Sequence, residues 1–137
     1  MFKVLNIRHT GVVVQDLEEA LTFYKDALGF IELRRSELDT YAMHRLLRLC
    51  GPLTWVKLQI KDTDDIIELY YFHTATYRYR NDTPHHIALT VDNIKEMFKK
   101  MRYLKLNISS EIIQTETANL FFGQDPSGNI IEFVEEL

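Results

Sequence analysis

The chain is written twice, and that repeat restricts its fold more than any other feature of the sequence. The first copy opens with His9-Thr10-Gly11-Val12-Val13-Val14, an alternating run suited to a strand. Asp16 then stands three residues before Glu19, the spacing of a capping box. Leu17, Ala20, Leu21, Tyr24, Ala27 and Leu28 recur at helical spacing, and Gly29 supplies a stop. The second copy opens with His86-Ile87-Ala88-Leu89-Thr90-Val91, and Asn93 with Glu96 takes the place of the capping box. Ile94, Met97, Phe98 and Met101, with Tyr103 or Leu104, form its apolar stripe.

Strand-like segments follow each helix, at 30–34, 54–61 and 66–72 in the first copy and at 108–115, 119–124 and 130–135 in the second. The expected class is therefore α+β, a single domain over 1–137 built from two βαβββ modules. Module one spans 1–80 and module two 81–137. Asp125-Pro126-Ser127-Gly128 has the chemistry of a type I turn joining the last two strands. From His9 to Glu68 is 59 positions and from His86 to Glu132 is 46, so module one carries 13 extra residues. They fall in an insertion near 36–52, where 41–50 holds good helix formers ended by Gly51-Pro52. A helix there suits a cavity wall or lid and a dimer contact equally.

With 137 residues and 46% hydrophobic content, the chain is long enough for one ordinary core. Its apolar runs are too short to cross a bilayer, and the N-terminus has no apolar signal core, so a cytoplasmic protein without membrane contact is expected. Cys50 is the only cysteine, which excludes an internal disulfide and reads as a small buried apolar residue. A net charge of -4 with scattered Lys and Arg offers no general attraction for nucleic acid. The expected partner is a small molecule.

Side chains alternate between the two faces of a strand, so parity shows which residues share a face. His9 shares one with Gly11 and Val13, and Glu68 with Tyr70 and Phe72. In the second copy His86 shares a face with Ala88 and Thr90, and Glu132 with Ile130 and Val134. A carboxylate inside an apolar strand costs several kcal/mol to bury as an ion unless it is paired or bound to metal. Taken singly, each of the four is an ordinary strand residue. Two His and two Glu at matched repeat positions predict one divalent metal ion, held by His9, Glu68, His86 and Glu132. Mixed imidazole and carboxylate donors suit Ni, Zn, Co, Mn or Fe better than Ca or Mg, and the lack of thiolate argues against a structural zinc knot.

His9-Thr10-Gly11-Val12-Val13-Val14-Gln15-Asp16-Leu17, with Phe23-Tyr24 and Leu28-Gly29-Phe30, resembles the opening motif of the vicinal oxygen chelate superfamily, the glyoxalase and bleomycin-resistance fold. Ile67-Glu68-Leu69, the run from His86 to Asp92 and the run from Asp125 to Glu132 resemble its other three ligand segments, so the likeness covers nearly the whole chain. It implies a cupped mixed sheet around the metal and closure by pairing of modules, hence a homodimer. Both a site within one chain and a site shared between two are compatible with it. The order His, Glu, His, Glu is similar to glyoxalase I. By that resemblance Glu132, with Glu68 second, acts as the catalytic base for an enediolate route.

Bacterial glyoxalase I carries an Arg four positions after the first His and an Asn four positions after the first Glu to hold glutathione. Here those positions are Val13 and Phe72. Val13, Tyr70, Phe72, Thr90 and Phe122 are the expected substrate-facing residues, most of them apolar. Arg34, Arg35, Arg45, Arg48, Arg78 and Arg80 are candidate anchors for a carboxylate or phosphate. The expected function is a divalent-metal-dependent, glyoxalase-like lyase or isomerase acting on a small vicinal-oxygen substrate and not strictly dependent on glutathione. The alternatives are an antibiotic- or small-molecule-binding protein of the same fold, or an epimerase.

Overall fold

A computed structural model describes residues 1–49, 51–74 and 84–137, so Cys50, Arg78 and Arg80 lie outside the described residues. The chain forms two compact units, Met1–Tyr79 and Arg80–Leu137. Unit one contains β1 (Thr10–Val14), α1 (Leu17–Leu21) running on into a π-helical stretch Thr22–Ala27, β2 (Ile31–Leu38), α2 (Thr40–Leu47), β3 (Leu53–Gln59) and β4 (Ile66–Phe72). Unit two contains β5 (His86–Thr90), α3 (Ile94–Tyr103), β6 (Ile113–Gln114), β7 (Ala118–Gln124) and β8 (Ile130–Glu136). The sheets have the orders β1-β4-β3-β2 and β5-β8-β7-β6, with the first pair parallel and the others antiparallel. Both are βαβββ sheets, and the fold class is α+β as expected.

The caps form where the sequence places them. Asp16 Oδ1 accepts from the Glu19 amide at 2.9 Å, and Asn93 Oδ1 from the Glu96 amide at 3.1 Å. Helix α3 gains a further cap from Glu135, whose Oε1 accepts the Ile94 amide. In unit one Val12, Val14, Val56, Leu58, Ile67 and Leu69 are buried with Ala20, Phe23 and Tyr24. The π-helical turn places the consecutive Phe23 and Tyr24 rings in the core together, packed edge to face at 5.0 Å. In unit two Phe121, Phe133, Ile131, Ile94 and Met101 make the core. The opposite faces of both sheets carry the candidate site.

At three places the structure differs from the expected elements. Strand β2 runs on to Leu38, pairing Ser36, Glu37 and Leu38 with Trp55, Thr54 and Leu53, so the insertion starts later than residue 36. Its helix, capped by Asp39, ends at Leu47 because Arg48 turns left-handed, three residues before Gly51. The segment 108–115 yields only two strand residues. There Ser109 Oγ accepts the Phe122 amide and the Ser109 amide donates to the Phe122 carbonyl, a local side-chain arrangement that displaces the regular ladder. At the Asp125 turn, one Asp125 carboxylate oxygen accepts the amides of Ser127 and Asn129 and the other accepts the Asn129 side-chain amide.

Candidate metal centre

The first strand of each sheet lies parallel to the last, and this places His beside Glu. Gly11 pairs with Glu68, and Ala88 pairs with Glu132, so each Glu stands opposite the residue two positions after its His. His9 Nε2 lies 3.2 Å from Glu68 Oε2, and His86 Nε2 lies 3.2 Å from Glu132 Oε2. The repeat thus builds the same pair twice, with the same atoms at the same distance. Among the described residues, however, no group of three or more His, Cys, Asp or Glu side chains is assembled. The structure brings the four predicted ligands together as two pairs.

The His86 ring is oriented by a second contact. Its Nδ1 lies 2.9 Å from the Pro84 carbonyl oxygen, which can only accept, so Nδ1 carries the proton. In the neutral ring Nε2 then points a lone pair at a carboxylate oxygen. Two acceptors at 3.2 Å are satisfied by a proton or a metal cation between them. His9 Nδ1 is buried and has no partner among the described residues. Two imidazoles and two carboxylates are a fitting donor set for a divalent transition ion.

The two carboxylates have different surroundings. Glu68 is buried, and the Tyr70 hydroxyl donates to its Oε2 at 2.9 Å while Lys57 Nζ stands 3.7 Å from its Oε1. Tyr70, expected from parity on the substrate-facing side, thus also donates a hydrogen bond to the carboxylate. Strand parity alone does not bring Lys57 to the site. It is the register partner of Glu68 across β3 and β4, and the alternation of Trp55, Lys57 and Gln59 with Val56 and Leu58 was its only sequence signal. In unit two the position matching Lys57 is Phe122, which packs edge to face on the His86 ring at 5.3 Å, and the position matching Tyr70 is Val134. Gly11 is replaced there by Ala88. That substitution has a steric reason: a Cβ on Gly11 would run into the Tyr70 ring, which leans over it to reach Glu68.

Of the remaining candidates, Val13 and Phe72 are half-buried on the Glu68 face, and Thr90 is exposed on the His86 face. Arg35 is held by Glu32 on the opposite side of the sheet, and Arg45 donates to the Tyr41 hydroxyl of its own helix. Arg35 and Lys25 hold the Glu32 carboxyl below its usual range.

Burial, with the hydrogen bond to Glu68 second, pushes the Tyr70 phenol up to about 12. Because the folded value lies above the unfolded value near 10, its contribution is fully present below pH 10 and is lost as pH rises through 12. Tyr70→Phe is expected to be roughly 1 kcal/mol less stable below pH 10, and that gap should shrink between pH 10 and 12. Denaturant titrations of both proteins across this window measure it. A gap that stays constant would mean that the phenol does not titrate late.

Fold and paired residues define a tandem βαβββ protein with a His-Glu pair in each module. The chain belongs to the Glyoxalase/Bleomycin resistance protein/Dioxygenase superfamily, whose model matches residues 6–133. It is 33% identical over 135 residues to lactoylglutathione lyase of Escherichia coli O157:H7, covering 96% of this chain and 93% of that protein. A glyoxalase family protein from Bacillus cereus superposes with a TM-score of 0.85 at 21% identity, over 99% of this chain and 97% of that one. The trypanothione-dependent glyoxalase I of Leishmania major superposes with a TM-score of 0.73 at 26% identity, over 96% and 87%. Among the described residues no helix is long and apolar enough to cross a membrane.

Proposed function

We propose that each His-Glu pair is half of a four-ligand divalent-metal site, His9 and Glu68 with His86 and Glu132, in a lyase or isomerase acting on a small compound with adjacent oxygens. The observation that carries this reading is the duplicated pair itself, an imidazole Nε2 held 3.2 Å from a carboxylate oxygen at the same strand register in both modules. When bound, a Ni, Zn, Co, Mn or Fe ion supplies Lewis acidity that offsets negative charge developing on the substrate oxygens. The two glutamates then take different roles. Glu68, fixed by Tyr70 and Lys57, remains a stationary anion. Glu132, whose partner among the described residues is His86 and whose neighbours Phe122, Val134 and Ala88 are apolar, has fewer restraints than Glu68 and can accept a proton from one carbon and return it to the next. The lyase relative at 33% identity supports the reaction class.

Elemental analysis tests the site. One divalent ion per chain, removed by chelation and regained with Ni, Co or Zn, is the expected result; protein that takes up no stoichiometric metal would instead favour a small-molecule-binding protein of this fold. We also propose a homodimer, because the family resemblance implies closure by pairing of modules. Sedimentation showing a stable metal-bound monomer would exclude a site shared between chains.

A further inference from the structure

We propose that Arg34 and Lys57, grouped around Trp55 on the Glu68 face of module one, form an oxyanion patch that takes a carboxylate or phosphoryl group of the substrate. The inference deepens the proposed function and rests on it for calling the anion a substrate. Register sets one row across the sheet, Arg34, Lys57, Glu68 and Gly11, and the next row is Ser36, Trp55, Tyr70 and Val13. The Arg34 guanidinium lies 5.7 Å from the Trp55 ring centre and Lys57 Nζ 5.8 Å from it. Two cations directly opposite each other in a cross-strand pair repel. Glu68 partners Lys57 at 3.7 Å, and among the described residues Arg34 has no ion-pair partner.

The adjacent Arg35 provides the contrast. It faces the helix side and is neutralised by Glu32, so among the described residues one arginine of the pair has an acid and the other has none. An oxyanion seated between Arg34 and Lys57 would relieve the repulsion, with Trp55 as its apolar floor and the guanidinium fork matched to two oxygens. Module two has Phe122 at the position of Lys57 and Leu120 at that of Trp55. At these two positions module one carries a lysine and an aromatic where module two is apolar, which suits a substrate with an anionic end and an uncharged remainder.

Trp55 is the only tryptophan, so its fluorescence reports on this patch. Metal-free protein is titrated with inorganic phosphate and, separately, with lactate, against matched chloride and the neutral lactamide. A saturable change with phosphate or lactate and not with lactamide is expected, and the tighter of the two names the anion class. Arg34→Ala should weaken it about tenfold or more. Arg34→Lys should retain most of it, and Arg35→Ala should leave it unchanged. Absence of a saturable change in the wild type, or equal affinity in Arg34→Ala, overturns the patch. Because no metal is present in the titration, loss of the metal reading would leave this result standing, and loss of the patch would leave metal uptake untouched.

Discussion

His86→Ala is expected to lower affinity for a divalent ion by about two to three orders of magnitude while leaving the fold intact. A four-ligand site that contributes roughly 10–16 kcal/mol divides into about 2.5–4 kcal/mol per ligand. His86 should lie at or above the middle of that range, because its ring is already held in the metal-binding tautomer by the Pro84 carbonyl. The side chain is exposed at the end of β5, so its removal opens no core cavity. His9→Ala should weaken binding too, but by less: among the described residues its Nδ1 has no partner and the ring is oriented by the Glu68 contact alone. Competition with a chromophoric chelator measures both. Unchanged metal content in the two variants would remove these histidines from the site.

Parity made the pairs legible in the sequence. His9 with Gly11, and Glu68 with Tyr70, follow from a period of two, and the same arithmetic held for His86 and Glu132. What parity cannot supply is register. Lys57 is adjacent to Glu68 only because β3 pairs with β4 at that row, and no local feature of Trp55-Val56-Lys57 announces the alignment. Parity puts Tyr70 on the Glu68 face but does not show that its hydroxyl donates to Glu68, a contact made across the space that Gly11 leaves open. Strand β6 is shorter than its composition predicts. Ile108 to Thr115 has strand-like composition, yet the Ser109 hydroxyl competes for a backbone amide and breaks the ladder. Helix α2 was expected from its formers, whereas its end at Arg48 depends on a left-handed residue that propensity does not foresee.

Turnover of the methylglyoxal-glutathione hemithioacetal is expected to be weak or absent even with the metal site filled. The relative at 33% identity is a lactoylglutathione lyase, and likeness alone would predict efficient turnover. The two positions that, by the family resemblance, carry the glutathione-holding Arg and Asn are Val13 and Phe72 here, both half-buried on the Glu68 face. A charged substrate arm lying against them is desolvated with no hydrogen bond in return. A loss of about 4 kcal/mol lowers catalytic efficiency near a thousandfold. The insertion offers little replacement: Arg45 is turned to Tyr41, and Arg48 ends its helix in a left-handed conformation. The proposed Arg34 and Lys57 patch sits in the same row as Glu68, one of the proposed metal ligands, where it fits a short anionic substrate better than a distant peptide carboxylate. Nickel and zinc forms assayed against the hemithioacetal decide the matter. Efficient turnover that is abolished by Glu132→Gln would make this an ordinary glyoxalase I, and Val13 and Phe72 would then have no bearing on glutathione.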